Sequence, residues 1–261
     1  MTTYDLIGNI AIFKFPEKTR EKEKKKEALN FLKEHKNIKT VLEKAGKVKG
    51  RLRIAKTRFL AGTDTREAIY TESGAGFKLN VDETYFSSRL SGERARIADE
   101  IANKTGKQSR ILVLFAGVAP FSIVIARKLK LEGKKAEIYS VEINRKASKY
   151  AEENVKLNKL NYYIKVIQND VKKLKLSGKF DFIVMPRPQL KETFLKYIWK
   201  FCLRGTQIYY YDFGKDIEEI IKKIENEAKK SRKKIKILEF RKAGDIAPYK
   251  YRWRVDLRVL N

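Results

Sequence analysis

Apolar residues follow two rhythms along this chain. Between residues 111 and 212, short runs rich in Ile, Val, Leu and Tyr occur at 111–115, 136–141, 162–168, 180–185 and 207–212. They alternate with longer stretches at 120–131, 145–157, 190–203 and 215–231, whose apolar positions recur at helical spacing. The first set reads as buried strands and the second as helices packed on them. Such alternation builds a parallel sheet with right-handed crossovers. The end breaks the rhythm: 234–242 and 251–260 are both strand-like, and only a turn around 244–248 separates them. The sheet is therefore predicted to close on an antiparallel hairpin. Upstream, Ala95, Ile97, Ala98, Ile101 and Ala102 predict a helix over 91–103. The first ninety residues read as a smaller α/β unit. It has a β-prone segment at 5–15, a charged helix at 17–36 with a narrow apolar stripe (Ala28, Phe31, Leu32), and short strands at 41–42 and 53–61. A strand pair bent around Gly74-Ala75-Gly76 follows at 68–81.

Composition narrows the class. In 261 residues, 43% are hydrophobic, enough for a packed core, so a disordered polyelectrolyte is excluded. Sixty Lys and Arg face 32 Asp and Glu, a formal net charge of +28. Such a field draws in polyanions and speeds their encounter. No apolar run approaches the roughly 20 residues a membrane span needs, and the N-terminus lacks the layout of a signal peptide. One cysteine, Cys202, and one histidine, His35, leave no internal disulfide and argue against a zinc site. The expectation is a cytoplasmic, metal-free, monomeric protein whose polyanionic partner is nucleic acid.

A parallel sheet ending in an antiparallel hairpin is the layout of class I methyltransferases, a Rossmann-like α/β fold; a dinucleotide-binding fold would continue the βα alternation. The predicted organisation is a small RNA-contacting α/β domain over 1–84 and a methyltransferase domain over 85–261. Open α/β sheets bind ligands beyond the carboxyl ends of their strands. The loop after the first strand, Phe115-Ala116-Gly117-Val118-Ala119-Pro120, has a glycine for close backbone approach and a proline suited to the first turn of a helix. It lacks the G-x-G-x-x-G pyrophosphate fingerprint, and S-adenosylmethionine has no pyrophosphate. Glu142 and Ile143 follow the second strand, where a carboxylate can accept from ribose hydroxyls. Asn169 and Asp170 follow the third, where Asp170 can accept from an adenine amino group.

These residues resemble a family, the archaeal and eukaryotic tRNA guanine-37 N1-methyltransferases with their wyosine-pathway relatives. The resemblance runs from Tyr4 to the C-terminus. Tyr85-Phe86-Ser87-Ser88-Arg89-Leu90-Ser91-Gly92-Glu93-Arg94 is similar to the family's Tyr-Phe-Ser-Pro-Arg-Leu-x-x-Glu-Arg signature, residues 115–122 to its cofactor loop, and Ala247-Pro248-Tyr249-Lys250 to its terminal hairpin. The resemblance implies methyl transfer from S-adenosylmethionine to N1 of guanosine-37 in the tRNA anticodon loop. It implies Glu93 as general base, Arg53 against the target guanine, and Tyr85, Arg89 and Arg94 near cofactor and anticodon loop. The chemistry is coherent: N1 carries a proton that a carboxylate must remove, and the charge left on O6 suits an arginine. The base must also leave its stack to enter a pocket.

Three departures stand out. The chain opens on what resembles the family's middle domain, so its small tRNA-corner domain is expected to be missing. Ala119 stands where glycine is usual. Pro186-Arg187-Pro188 replaces an Asn-(Leu/Pro)-Pro motif, so the base contact is expected from Pro186 or Arg187. The Pro-Arg-Pro form resembles the archaeal branch that also methylates 4-demethylwyosine at carbon 7. Two other readings remain: transfer of the aminocarboxypropyl group instead of methyl, and a non-catalytic RNA-binding protein.

Overall fold

A glycine decides how the first segment folds. The computed structural model describes residues 2–46, 56–106 and 108–261, and in it segment 5–15 belongs to two antiparallel strands, β1 (Thr3–Ile7) and β2 (Ile10–Lys14). Gly8 sits in the turn with φ +57°, and a Cβ there would lie 1.7 Å from the Ile69 carbonyl oxygen. Only glycine fits. Helix α1 (Glu21–Glu34) crosses to β3 (Thr40–Lys44), which runs parallel to β2, and β4 (Thr57–Gly62) completes a sheet of order β1-β2-β3-β4. The predicted stripe on α1 buries Ala28 and Phe31 against Phe13, Val41 and Leu60, with Leu32 packed half-buried beside them.

A hairpin of β5 (Glu67–Glu72) and β6 (Ala75–Asn80) leads through a short turn into α2 (Ser91–Lys104). The main sheet follows. Its parallel strands are β7 (Gln108–Leu114), β8 (Lys135–Glu142), β9 (Ile164–Gln168), β10 (Phe180–Met185) and β11 (Cys202–Gly214). Connecting helices are α3 (Pro120–Leu131), α4 (Arg145–Leu157), the single turn α5 (Leu195–Ile198) and α6 (Ile217–Lys230). With β12 (Ile235–Ala247) and β13 (Lys250–Val259) the order is β12-β13-β11-β10-β7-β8-β9, and β13 lies antiparallel to β11. This is the predicted class I arrangement: a parallel sheet closed by a terminal antiparallel hairpin. Alternation along the strands divides two cores: Ile111, Val113, Phe182 and Val184 face one side, Leu112, Leu114, Ile183 and Met185 the other.

Two expectations differ from the structure. The helix over 190–203 shrinks to α5, because the Arg187 guanidinium takes the Pro188 and Leu190 carbonyls and Phe194 adopts φ +65°. The wide turn at 244–248 is instead strand; Ala247 pairs with Lys250 across Pro248-Tyr249, and Tyr249 supplies the left-handed residue. Among the described residues no helix is long and apolar enough to cross a membrane, and no cluster of His, Cys, Asp or Glu is set to hold a metal ion.

The hairpin β5–β6 is fastened to the main domain by amides in place of a strand neighbour. Asn154, wholly buried in α4, accepts from the Lys78 N–H at 2.7 Å and donates to the Lys78 and Val118 carbonyls. One helical turn on, Asn158 does the same for Gly76. Each buried backbone group stripped of its partner costs about 1–3 kcal/mol. Asn154→Ala is therefore expected to destabilise the fold by about 3 kcal/mol or more in urea titration, while the same change at the exposed Lys149 leaves the midpoint within error.

Candidate active site

Strands β7 and β10 are neighbours, yet the chain leaves β7 toward β8 and β9 and leaves β10 toward β11 and the hairpin. That reversal opens a crevice at the carboxyl ends of the strands. It is a cleft open to solvent.

Its donor-side wall is mostly backbone. Phe115, Gly117 and Ala119 all have positive φ (54°, 57° and 67°), so the loop coils tightly before Pro120 starts α3. Glycine takes this conformation freely, whereas Ala119 and Phe115 hold it at a cost of about 1 kcal/mol or more each. The Glu142 carboxylate braces the loop, accepting from the Gly117 N–H at 2.8 Å and the Asn144 N–H at 2.7 Å. Burial pushes the Glu142 carboxyl above its ordinary range, against the pull of these backbone donors. Each oxygen keeps a lone pair for a further donor. Asn144, not singled out from the sequence, caps α4 and donates to the Glu83 carbonyl at 2.8 Å. Phe115, Ala116, Gly117, Pro120, Ile143 and Asp170 line this wall. Val118 and Asn169 do not: Val118 is buried against the small domain, and Asn169 contributes its N–H to the Glu142 carbonyl.

The opposite wall is built from side chains. Tyr211 and Phe213 on β11, Arg252 on β13, and Pro186 and Pro188 beyond β10 line it. Tyr85 closes the rim, 37% exposed, accepting from Arg252 Nη2 at 3.3 Å. Glu93 is 8% exposed and stands one hydrogen bond behind the wall, where Tyr211 Oη donates to its Oε1 at 2.7 Å and Arg254 Nη1 lies 3.2 Å away. Burial and the Glu93 carboxylate keep the Tyr211 phenol protonated, far above its usual range.

Arginines predicted at this wall have differing fates. Arg94 and Arg187 reach the cleft, but their guanidinium groups are held by protein. Arg94, 2% exposed, pairs with Glu72 through Nε and Nη2 and donates to the Ser87 carbonyl. Arg187 pairs with Asp212 at 2.8 Å and donates to Tyr210 Oη and two carbonyls. Arg89 is exposed and pairs with Asp5 of β1. Arg53 lies outside the described residues. Sequence reasoning passed over Tyr211, Phe213 and Arg252; the alternation in Tyr251-Arg252-Trp253-Arg254 was their one signal, since it sets both arginines on one face of β13.

Comparison with known proteins fits this geometry. Residues 68–238 match the model of the TRM5/TYW2 methyltransferase domain, and residues 1–65 that of the TYW2 N-terminal domain. The chain belongs to the TRM5/TYW2 methyltransferase family. It is 34% identical to the tRNA (guanine(37)-N(1))-methyltransferase Trm5b of Pyrococcus abyssi over 99% of this chain and 75% of that protein. It is 30% identical to the tRNA (guanine(37)-N(1))/4-demethylwyosine(37)-methyltransferase Taw22 of Nanoarchaeum equitans, over 99% of this chain and all of that one. The crystal structure of Trm5b from Pyrococcus abyssi superposes with a TM-score of 0.85 at 33% identity, covering 99% of this chain and 75% of that one. Trm5 of Methanocaldococcus jannaschii in complex with adenosine superposes at 0.82 with 28% identity, covering 99% and 72%.

Within this TRM5/TYW2 site the Arg94–Glu72 pair joins the signature helix α2 to the hairpin strand β5. Removing one member of a buried ion pair strands its partner's charge, at about 3–5 kcal/mol. Arg94→Leu is expected to lower stability by that amount in chemical denaturation, and Arg94→Leu with Glu72→Leu to recover much of the loss.

Proposed function

We propose that this chain transfers the methyl group of S-adenosylmethionine to N1 of guanosine-37 in tRNA. The observation that carries the reading is one cleft with two unlike walls: a nucleoside-type wall at Glu142 and Asp170, and across it a phenol–carboxylate pair, Tyr211 and Glu93. The donor wall fits the cofactor chemically. Glu142 has lone pairs for ribose hydroxyls, and Phe115, Ile143 and Val171 offer apolar faces to a purine. When bound, S-adenosylmethionine supplies an electrophilic methyl group on a sulfonium.

What remains is done by this chain. The acceptor is a lactam whose N1–H must lose its proton as the N1–methyl bond forms. That proton leaves toward the Tyr211–Glu93 pair, whose carboxylate is its final acceptor. Arg254, behind Glu93, fixes the carboxylate's orientation. Arg89, Arg94 and Tyr85 belong to the signature segment that carries Glu93; Arg89 at the exposed rim is available to the anticodon loop, and family resemblance gives Arg53, outside the described residues, the contact to the target guanine. The net charge of +28 provides the general attraction for tRNA.

A second acceptor is supported by one observation. Pro186 has neither an amide side chain nor an N–H, so the wall beyond β10 does not grip one particular base edge there. Together with the likeness to the dual-activity Nanoarchaeum equitans enzyme, this favours carbon 7 of 4-demethylwyosine as an additional target.

Mass analysis of nucleosides after incubation with unmodified tRNA and S-adenosylmethionine tests the reading. N1-methylguanosine and S-adenosylhomocysteine are the expected products; methylthioadenosine would instead mean aminocarboxypropyl transfer, and binding without turnover an RNA-binding role. Glu93→Gln is expected to slow single-turnover transfer by about 10²–10⁴ with cofactor affinity unchanged. Affinity for S-adenosylmethionine has its own pH signature. Ribose hydroxyls favour ionised Glu142, whose pKa is raised, so affinity falls on acidification beginning above pH 4.5, the ordinary carboxylate value. Calorimetry across this range should find that fall in the wild type and a lower, flat affinity in Glu142→Gln.

A further inference from the structure

We propose that a second cavity, on the far side of Tyr85 from the cleft, takes the unstacked base next to the acceptor, so that the protein reads a nucleotide beside position 37. This deepens the function proposed above and rests on it. The cavity lies between the small sheet and the signature segment. Ile7 of β1 and Ile12 of β2 line it on one side, and Leu79 of β6, Val81 and Phe86 on the other. Tyr85, Phe86 and Ser87 line both this cavity and the cleft, so the two hollows share one wall a single segment thick.

The fold explains why the hollow is there. Alternation along β2 sends Ala11 and Phe13 to the face covered by α1, and Ile10 and Ile12 to the opposite face. The main domain covers that second face only in part. Ile10 and Leu42 are wholly buried in one cluster with Leu79 and Val81, whereas Ile12, two residues along β2, is half-buried. Where the cover ends, the apolar floor opens and polar groups take over, with Asp5, Lys44, Thr57 and Arg89 around it. These walls are held in place. Ser88 Oγ donates to the Leu6 carbonyl at 3.0 Å and Arg89 pairs with Asp5, which ties the signature segment to β1. Thr57 Oγ1 donates to Asp82 at 2.7 Å and keeps lone pairs for an incoming donor. An apolar floor under a rim of cations and hydroxyls suits a nucleobase whose ring is dry and whose phosphate stays in water.

The substrate supplies such a base. Swinging nucleotide 37 out of the loop takes a stacking face from each neighbour, and a neighbour that finds a new apolar surface recovers that loss. With the acceptor base in the cleft, its neighbour is one nucleotide step away, and the cavity beyond the shared Tyr85 wall lies at that step. The small unit thereby gains a role in choosing the loop that is methylated.

The test measures methylation of tRNAs that keep guanosine-37 and are abasic at position 36 or at position 38. Wild-type protein is expected to lose about 5- to 100-fold in kcat/KM on one of the two, which identifies the neighbour that enters, and little on the other. Ile12→Trp fills the cavity from β2 and Thr57→Trp fills it from β4. Both should slow intact tRNA by a similar factor, ignore the abasic position that the wild type senses, and bind S-adenosylmethionine as the wild type does. The unchanged cofactor affinity, and the use of two strands, guard against a local folding defect. Equal turnover of all the tRNAs by the wild type, equal losses at both abasic positions, or filled variants that still sense the missing base overturn the assignment. Wild-type turnover on intact tRNA is the control. Its absence removes the functional reading and the assignment together, whereas turnover indifferent to the abasic positions and to the filled cavity removes the assignment alone.

Discussion

The acceptor side of this molecule depends on a single buried guanidinium. Arg254, with no exposed surface, holds Asp256 through two contacts of 2.8 Å, Glu100 at 2.7 Å and Glu93 at 3.2 Å. Burial works against its charge, but its partners, Asp256 first and Glu100 with it, outweigh that cost. Those carboxylates come from two elements far apart in sequence, α2 and β13, so the network locks the signature helix against the terminal hairpin. It also fixes register. A slip of one residue between β13 and β11 would turn Arg252 and Arg254 to the opposite face of the sheet, leaving Glu93 without its hydrogen-bonded guanidinium. Burial pushes the Asp256 carboxyl up to about 7 against the pull of Arg254, with Glu100 and Glu239 adding to the rise.

The donor side is held differently. There the constraint is conformational: three left-handed residues within five coil the loop after β7, and Glu142 ties the coil to the end of β8 by backbone N–H groups alone. Along the loop itself backbone conformation decides more than side-chain identity, and Gly117, at φ +57°, takes its place in the coil freely. Ala119 shows the tolerance of such a design, since a residue that pays for its left-handed φ is still accommodated when α3 is otherwise well packed. One wall therefore rests on backbone geometry, and the other on pairs of long polar side chains.

That contrast explains what was legible in the sequence. The parallel sheet, its order of elements and the terminal hairpin followed from periodicity, because a strand buried on both faces leaves an unmistakable apolar run. The donor loop was legible for a related reason: Gly117, Pro120 and an acid at the next strand tip are local signals, each within a few residues of the turn it serves. The acceptor wall was not. Tyr211 meets Glu93 across 118 residues and Arg254 meets it across 161, and no local pattern distinguishes a tyrosine that donates to a carboxylate from two neighbours that fill cores. Tyr209, Tyr210 and Tyr211 are identical letters, yet alternate faces give them different work. Family resemblance found Glu93; without it, a glutamate at a helix start reads as an ordinary cap.

Charge gave the converse lesson about arginine. Arg94 and Arg187 looked like substrate contacts because each sits in a motif, but motif position and free charge are separate properties. An arginine beside a proline-rich wall can be there to hold the wall: Arg187 collects Asp212, Tyr210 and the Pro188 and Leu190 carbonyls, and thereby holds extended the start of the segment where helix was expected from residue 190. Arg252, in no motif, is the buried cation that the described structure leaves without a carboxylate. Whether a charged side chain serves the fold or the substrate is decided by its counter-charge, which the sequence does not display and which three dimensions reveal by subtraction. A cleft with one wall set by backbone geometry and the other by long-range pairs of polar side chains is thus built by two different means, one local in the sequence and one not.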